Sequence, residues 1–302
     1  MNVPGSPPYT VHGTLPSLSN ATMVTMLTGW IDASGAAAAA MDHLTTETVA
    51  TLVVDFDSDT FIDYRARRPV MELREGVNTR IVWGTPQIRI GRDDADNPVV
   101  LLTGPEPDSA WRMFADSVAE LALRMGVTRL IGMGAYPFGA PHTRPVGITA
   151  TSPDPSAISR LNLSRTTMDV PAGVEAILEH SFAERGMTAI GVWAQVPHYI
   201  SAMAYPAASA RLIEAVADEA GWKIDASPLR REAAIQGERL DQLVLGNPEH
   251  ADMLRTLEDA YDDAHSRLGT ASPTGDLEAD LPTVEDIAAE VEQFLRDQQP
   301  GG

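Results

Sequence analysis

The sequence predicts an α/β fold of three layers, in which helices cover both faces of a mainly parallel central sheet. The first observation is a pair of apolar, β-branched runs that begin at Met23 and Thr51 and flank an alanine-rich segment at 36–40. Such runs are typical of strands covered on both faces, and alanine is the strongest helix former. A strand, a helix and a strand in this order predict a right-handed βαβ unit, which belongs to a parallel sheet.

A second unit of the same kind follows. Apolar residues recur at spacings of three and four between 108 and 125, which predicts an amphipathic helix. Asp108 or Ser109 is its expected N-cap, and Gly126 is its expected end. An apolar run at 98–102 precedes this helix and another follows it, so a strand is expected on each side.

Two local signals predict further details of this first half. Ser34 is the expected N-cap of the alanine-rich helix. Residues 80–83 and 87–90 alternate in polarity on either side of Gly84-Thr85-Pro86, which predicts a hairpin around that turn.

The chain changes character in its last quarter. Strand signals disappear, and helical periodicity with many acidic residues takes over. This change predicts a core domain at 1–229 and a helical extension at 230–302.

Within the extension, three features are expected. Asn247 followed by Pro248 predicts the start of a helix. A linker rich in glycine, proline and acids is expected at 269–282, followed by a terminal amphipathic helix at 283–297.

Composition excludes several classes of protein. The chain has 302 residues, 44% of them hydrophobic, and a formal net charge of −20. Because such a surface repels phosphate backbones and anionic lipids, neither nucleic acid nor a membrane is an expected partner, and solubility accounts for the charge. There is no cysteine, which excludes thiolate metal sites and cysteine nucleophiles. Neither a secretory leader nor a run of about 18 apolar residues is recognised, so a cytoplasmic location is expected.

The segments after the strands carry the candidate binding residues. In open α/β sheets, ligands gather beyond the carboxyl ends of the strands, which places Trp30, Asp32 and Asp55 around a crevice. Asp32 has two interpretations. It faces a ligand, or it caps the alanine-rich helix with help from the helix dipole.

Two apparent ligand motifs fail on inspection. Asp55, Asp57 and Asp59 imitate the start of a calcium loop, but an EF-hand needs glycine and glutamate where Thr60 and Ala66 stand. The glycine-containing segments match neither GxGxxG after a strand nor GxxxxGK[ST]. The sequence therefore predicts no metal site and no cofactor.

Two Pro-His pairs are the candidates for chemistry. His142 and His198 each follow a predicted core strand, so both imidazoles are expected on the crevice side of the sheet. With Asp32 they would supply general acid–base catalysis near neutral pH, and Arg144 would bind an anion. The alternative is that each pair is a rigid turn whose imidazole bonds a backbone carbonyl. No serine elbow or metal pattern completes a mechanism.

A basic cluster formed by Arg65, Arg67 and Arg68 stands out in this acidic chain. These guanidinium groups would bind an anion or a carboxylate of a partner, with Arg65 and Arg68 as the chosen candidates. The alternative is that they pair with the protein's own acids.

Five short motifs occur in the order in which one known family carries them. They are Gly29–Ala33, Asp63–Arg65 with Arg68-Pro69, Glu106-Pro107 with Trp111, Pro141–Pro145, and Trp193–Tyr199. Together, over roughly residues 20–268, they resemble the proteasome assembly chaperone 2 family in its actinobacterial form.

This resemblance implies a fold similar to phosphorylase and hydrolase-like domains, with a helical addition near the C-terminus. Family members in eukaryotes and archaea bind proteasome α-subunits during core-particle assembly. We therefore expect a non-enzymatic protein-binding factor that self-associates, first as a homotrimer, with Tyr199 among its binding residues. The alternative is a hydrolase-, phosphorylase- or ligase-like enzyme that acts on a small molecule at the carboxyl ends of the strands.

Overall fold

The computed structural model describes residues 7–161, 167 and 169–270. The strands in this part of the chain are β1 (Tyr9–Val11), β2 (Ala21–Thr28), β3 (Thr51–Phe56), β4 (Val70–Arg74), β5 (Val77–Val82), β6 (Gln87–Arg92), β7 (Pro98–Pro105), β8 (Val127–Phe138), β9 (Ile148–Thr151) and β10 (Thr188–Pro197). The helices are α1 (Ala36–Glu47), α2 (Ser58–Phe61), α3 (Trp111–Met125), α4 (Pro155–Leu161), α5 (Val174–Glu184), α6 (Pro206–Ala220), α7 (Ser227–Leu245) and α8 (Pro248–Thr270). The predicted helix at 283–297, and the predicted linker beyond Thr270, lie outside the described residues.

Eight strands form one sheet in the order β1-β3-β6-β7-β2-β8-β10-β9. At its centre, β7, β2, β8 and β10 pair in parallel. β3 runs in the same direction, because the single antiparallel strand β6 separates it from β7. β1 and β9 close the two edges as antiparallel strands. The prediction of a mainly parallel sheet in an α/β fold is confirmed, with antiparallel strands added on both sides.

Helices cover both faces of this sheet. α1 and α6 pack on one face, and α3 and α5 pack on the other. Ala36, Ala37 and Ala40 are fully buried, and the buried hydroxyl of Ser209 on α6 donates a hydrogen bond of 2.9 Å to the carbonyl of Ala36. The alanine-rich run thus allows α1 to lie close to both the sheet and α6.

Both predicted βαβ units are present, but their strands are not neighbours. In β2-α1-β3, the two parallel strands are separated by β7 and β6. In β7-α3-β8, strand β2 lies between the partners. The β2-α1-β3 connection therefore crosses two strands and the β7-α3-β8 connection crosses one, and each helix buries its apolar face against the sheet.

The predicted N-cap residues are wrong for two helices. Gly35, not Ser34, precedes α1, and its left-handed φ of 62° suits glycine. The amide of Ser34 instead donates to the carbonyl of Ser201 at 2.7 Å. Neither Asp108 nor Ser109 caps α3, because Ala110 occupies the cap position. The predicted end of α3 at Gly126 is confirmed, with a φ of 82°.

The predicted hairpin around Gly84-Thr85-Pro86 is also wrong. β5 pairs with β4 in a separate two-stranded sheet, whereas β6 joins the main sheet between β3 and β7. The turn is Glu75-Gly76, and both residues have positive φ, as two-residue hairpin turns require. β6 is drawn into the main sheet because its Ile88 is fully buried there.

The described part of the extension is helical. α7 and α8 are joined at Gly246-Asn247, and the side chain of Asn247 accepts a hydrogen bond of 3.0 Å from the amide of Glu249. The predicted helix start at Asn247-Pro248 is therefore confirmed. The division into a core at 1–229 and an extension at 230–302 stays a prediction. No helix in the described residues is long and apolar enough to cross a membrane.

Candidate functional site

The candidate residues lie around the carboxyl ends of β2, β8 and β10. Asp32 follows β2 and bridges to Ala135 on β8. Its carboxylate accepts hydrogen bonds from the amides of Ala37 at 2.8 Å and Ala38 at 3.0 Å. Burial raises the pKa of Asp32, although these amides oppose the shift. Both carboxylate oxygens thus accept hydrogen bonds at the N-terminus of α1. Of the two interpretations of Asp32, this arrangement corresponds to the one in which it caps the helix.

Trp30 lies on the other side of the same corner, against the start of α5. A Cβ added at Gly173 would stand 2.7 Å from Cδ1 of the Trp30 ring, so only glycine permits this contact. Glu106 lies beside it, and its Oε1 accepts a hydrogen bond of 2.6 Å from the amide of Val174. Two motifs that are far apart in the sequence therefore meet at the N-terminus of α5.

His142 is held by Tyr199. The backbone amide of His142 donates to the Tyr199 hydroxyl at 2.8 Å, and the same hydroxyl lies 2.7 Å from Nδ1 of the His142 ring. Because the hydroxyl already accepts from the amide, it is suited to donate its proton to Nδ1. In that tautomer Nε2 carries a hydrogen and points at Oδ1 of Asp241 on α7, 3.2 Å away. The His142 side chain is only 2% exposed.

His198 contacts the same tyrosine. Its ring meets the Tyr199 ring edge-on, with centroids 5.4 Å apart, and the His142 ring does likewise at 5.9 Å. The structure therefore brings both imidazoles to Tyr199. Burial raises the pKa of the Tyr199 hydroxyl to about 12, so this group stays protonated near neutral pH.

Arg144 is paired with α8. Its guanidinium donates to both carboxylate oxygens of Asp262, at 2.9 and 2.7 Å, and to Glu258 at 3.0 Å. These carboxylates raise the pKa of Arg144, with the hydrogen bond to Asp262 as the largest cause. Thr143 also donates to Glu258. Arg144, which the sequence predicts to bind an anion, is thus paired with carboxylates of the chain's own helix α8.

Residues 141–145, which we call the covered loop, are therefore bonded at several points to the C-terminal helices. Asp241 comes from α7, whereas Glu258 and Asp262 come from α8. Tyr261 on α8 also donates a hydrogen bond of 3.1 Å to the carbonyl of Pro145. These partners were not predicted from the sequence, since nothing local to α7 or α8 indicates which loop they contact.

Asp55 lies away from this group. It accepts from Gln87 at 2.8 Å and pairs with His12 at the same distance. It borders a shallow cleft of about 260 Å³, which Tyr9 and Ser58 also line. The structure does not bring Asp55 together with Asp32 and the imidazoles.

The arginine cluster divides into one paired and two exposed residues. Arg67 donates to Asp108 and to the carbonyl of Thr28, both at 2.9 Å. Arg65 and Arg68 are exposed, and among the described residues neither side chain forms an ion pair. Of the two interpretations, binding to a partner and pairing with the protein's own acids, the second applies to Arg67.

Three glutamates, of which Glu106 and Glu179 are buried residues and Glu175 has a buried carboxyl oxygen, form a second polar group that was not predicted from the sequence. Glu175 and Glu179 face the sheet over two glycines. A Cβ at Gly132 would stand 2.0 Å from Oε1 of Glu175, and one at Gly191 would stand 2.6 Å from Oε1 of Glu179. Glu106, which binds the first turn of α5, completes the group. The available signal was the i, i+4 spacing of two acids on a helix that follows Gly173.

Burial decides the protonation of this group. It raises the pKa of Glu179 to about 7, although a hydrogen bond of 2.9 Å from Thr151 opposes the shift. It raises the pKa of Glu175 well above its ordinary value, and repulsion from Glu179 and Glu106 adds to this effect. Oε1 of Glu175 is buried and has no hydrogen-bond partner among the described residues. No group of three His, Cys, Asp or Glu side chains in the described residues has a geometry suited to a metal ion.

These features define a class of α/β protein in which the polar side chains at the carboxyl edge of the sheet are bonded to each other and to two C-terminal helices. The chain belongs to the PAC2 family, whose model matches residues 26–244. No curated protein matches the sequence.

Three solved structures illustrate the relationship. A protein of unknown function from Corynebacterium glutamicum ATCC 13032 is 30% identical, with a TM-score of 0.81 over 87% of this chain and 99% of that one. The Mycobacterium tuberculosis protein Rv2714, also of unknown function, is 31% identical, with a TM-score of 0.81 over 96% of this chain and 99% of that one. The Mycobacterium tuberculosis proteasome-assembly chaperone homologue Rv2125 is 28% identical, with a TM-score of 0.72 over 77% of this chain and 99% of that one.

Proposed function

We propose that this protein is a non-enzymatic, protein-binding assembly factor, and that proteasome subunits are among its partners. The observation that carries the proposal is membership of the PAC2 family over residues 26–244. The likeness to Rv2125, which is described as a proteasome-assembly chaperone homologue, supports the same class of function.

The state of the candidate catalytic residues supports a binding role over catalysis. A general acid or base must reach its substrate, but the His142 side chain is 2% exposed and bonded to Tyr199 and Asp241. Both oxygens of Asp32 bind amides of α1, and Arg144 is paired with α8. We therefore propose no reaction for His142, His198 and Asp32.

The proposed binding surface comprises the residues around the carboxyl edge and the exposed arginines. Its members are Trp30, Asp32, Asp55, Arg65, Arg68, His142, Arg144, His198 and Tyr199. Arg65 and Arg68 are exposed and suited to bind carboxylates of a partner directly. The loop residues position the surface, because they are fixed by the contacts to α7 and α8.

The test is direct binding to purified proteasome α-subunits. The wild-type chain and a variant with Arg65→Glu and Arg68→Glu would be compared by biolayer interferometry and native mass spectrometry. We expect a defined complex with the wild-type chain and at least about tenfold weaker binding by the variant, since charge reversal repels acidic partners. Absence of binding by the wild-type chain, under conditions in which an established assembly chaperone binds its own α-subunits, would refute the proposal.

We also propose that the chain self-associates, first as a homotrimer, and that it acts in the cytoplasm without binding nucleic acid or membranes. Closed cyclic symmetry is the common form of homo-oligomers. Multi-angle light scattering across a concentration series measures the mass directly, and a mass of one chain at every concentration would refute self-association.

A further inference from the structure

A row of small residues crosses the face of the sheet that α5 covers. Each member lies opposite the next in the strand register, and the row consists of Thr25 on β2, Gly132 on β8, Gly191 on β10 and Thr151 on β9. Glu175 and Glu179 of α5 occupy the space that the two glycines leave. Because the glycines carry no Cβ, two carboxyl groups fit between the helix and the sheet, where apolar side chains normally pack.

Hydrogen bonding is incomplete at the β2 end of this row. Oγ1 of Thr25 and Oε1 of Glu175 are buried, and neither atom has a hydrogen-bond partner among the described residues. Thr25 lies opposite Gly132, and Oε1 of Glu175 stands over the same glycine, so both oxygens lie close to that residue. Burial of unpartnered polar atoms is unfavourable, so packing alone does not explain polar residues at these positions.

At the β9 end, the row bonds Glu179 through a hydroxyl group. Oγ1 of Thr151 donates to Oε1 of Glu179 at 2.9 Å and accepts from Nε1 of Trp193 at 3.3 Å. Because the hydroxyl accepts from the indole, its own proton is directed at Glu179. This donor favours the ionised carboxylate, whereas burial favours the neutral acid and raises the pKa of Glu179 to about 7. A modest change of pH therefore changes the charge under α5.

The sheet supplies no basic group to neutralise these carboxyl groups. β2, β9 and β10 carry no titratable residue. On β8, Arg129 bonds to α6 on the opposite face, and Tyr136 has a pKa raised by burial, so it stays protonated near neutral pH. Beyond β7, Glu106 adds a third carboxyl group, with Arg67 and Asp108 as its charged neighbours.

The two ends of α5 are held to the rest of the fold in different ways. Near its C-terminus, Arg185 pairs with Asp116 of α3 at 2.8 Å. Apart from these two residues and the glutamates over the row, the titratable side chains of α3 and α5 are exposed. At its N-terminus, Trp30 lies against Gly173, directly before the helix. Repulsion between ionised carboxylates would therefore act on the N-terminal half, while the ion pair keeps the C-terminal end in place.

We infer that Glu175 and Glu179 form a pH-dependent switch under α5: their protonated carboxyl groups hold the N-terminal half of the helix on the sheet, and their ionisation releases it. The folded-state pKa of Glu179 lies above its ordinary value of 4.5, so the stabilisation is complete below that value and is lost as pH rises through about 7. Glu175 contributes with the same sign, because its pKa is also raised. Release of the helix also frees Trp30 from Gly173, so the switch connects pH to the carboxyl end of β2. This inference does not depend on the identity of a partner.

Hydrogen exchange read by mass spectrometry measures the release. The amides at 178–181, whose helical acceptors lie in the first turns of α5, would be followed at pH 6, 7 and 8, with each rate divided by the intrinsic rate at that pH. We expect their opening constant to rise at least about tenfold between pH 6 and pH 8, since the open state ionises at the ordinary pKa and the closed state does not.

Low concentrations of urea separate local release from global unfolding. A local opening exposes little surface and is therefore insensitive to urea, whereas global unfolding depends on it. At pH 8 we expect exchange at 178–181 to be insensitive to urea. The most protected amides of α6, on the opposite face of the sheet, are expected to remain sensitive.

Three variants test the residues. Glu175→Gln with Glu179→Gln removes both titrating groups, and its opening constant is expected to be independent of pH between 6 and 8. Glu184→Gln, an exposed acid at the end of α5, is the control and is expected to keep the wild-type profile. Thr151→Val keeps both glutamates, so it serves if the double variant folds poorly. Because it removes the bond that favours ionised Glu179, the release is expected to move to higher pH, whereas a merely structural effect would change the opening constant equally at every pH.

The outcomes decide the inference independently of the proposed function. Exchange at 178–181 that is as sensitive to urea as that of α6 at every pH would overturn it, since the two glutamates would then affect global stability alone. A rise with pH that is equal in the wild-type chain and the double glutamine variant would overturn it as well. Failure to bind proteasome α-subunits would refute the proposed function and leave the switch standing.

Discussion

The covered loop at 141–145 and residues 65–83, which contain β4 and β5 and which we call the arm, both carry charged motifs, yet their surroundings are opposite. In the loop, the side chains of His142 and Arg144 are engaged by Tyr199, Asp241 and Asp262. In the arm, apolar side chains are exposed. Among the described residues, Arg67 forms an ion pair with Asp108, whereas Arg65 and Arg68 form none. A conspicuous polar motif therefore does not mark a free surface, because the fold satisfies most buried polar groups internally.

The largest expected effect concerns Glu179, whose side chain is buried in the fold, as that of His142 in the covered loop is. Its folded-state pKa is about 7, above its ordinary value of 4.5. The folded chain therefore binds more protons than the unfolded chain between these values, so the free energy of unfolding falls as pH rises. We expect a decrease of roughly 2–3 kcal/mol from pH 5 to pH 8, and a flatter profile with higher stability at pH 8 for Glu179→Gln.

Urea denaturation at several pH values measures this profile. Glu184→Gln, an exposed acid on the same helix, is the control and is expected to keep the wild-type slope. Equal slopes for wild type and Glu179→Gln would show that this carboxyl group is already ionised in the folded protein at pH 5.

A pair of Tyr→Phe variants compares the loop with the arm directly. Tyr199→Phe removes the hydroxyl that serves both the amide and Nδ1 of His142, and we expect a loss of about 1–3 kcal/mol in the free energy of unfolding. Tyr64→Phe removes a hydroxyl at the root of the arm that bonds exposed Asp59, and we expect a loss below about 0.5 kcal/mol. Thermal or chemical denaturation measures both, and equal losses would remove the distinction between the two regions.

Asp32 tests whether the Gly29–Ala33 segment has a structural role. Asp32→Ala leaves the amides of Ala37 and Ala38 without their acceptor, and we expect a loss of about 1 kcal/mol, the size typical for a side chain that accepts from the first amides of a helix. Asp42→Ala, at an exposed position of α1, is the matched control with no expected loss. A stable Asp32→Ala variant that fails to bind α-subunits would instead assign Asp32 to the partner surface.

The smallest effect on stability is expected for the exposed arginines. Arg65→Ala with Arg68→Ala removes no ion pair in the described structure, so the free energy of unfolding is expected to change by less than about 0.5 kcal/mol. Arg67→Ala breaks the bonds to Asp108 and Thr28 and is expected to destabilise the chain more. A denaturation series gives this order, and the reverse order would show that Arg65 and Arg68 have structural partners.

The sequence predicted the central architecture because local signals and the fold agree there. The alanine run became α1, Gly126 ended α3, and Asn247-Pro248 started α8. Each of these depends on backbone preferences of a few consecutive residues, and such preferences act before any tertiary contact forms.

The errors occurred where two local signals competed. The turn at Glu75-Gly76 and the segment Gly84-Thr85-Pro86 both resemble hairpin turns, and only burial of Ile88 in the main sheet separates them. Ser34 was a suitable cap, but the chain placed Gly35 at that position and used the longer side chain of Asp32 to reach the amides.

The sequence by itself determined the fold class, the family and the residues that stand at the carboxyl edge. Only the tertiary structure decided which of them are occupied: Asp241 and Asp262 are about 100 residues or more from the loop that they bind. The tertiary structure also placed Glu175 and Glu179 over Gly132 and Gly191 and left apolar side chains of the arm exposed, among them Met71 and Leu73. The reason is physical, since hydrogen bonding and burial depend on distance in space, and the chain brings distant residues together only when it folds.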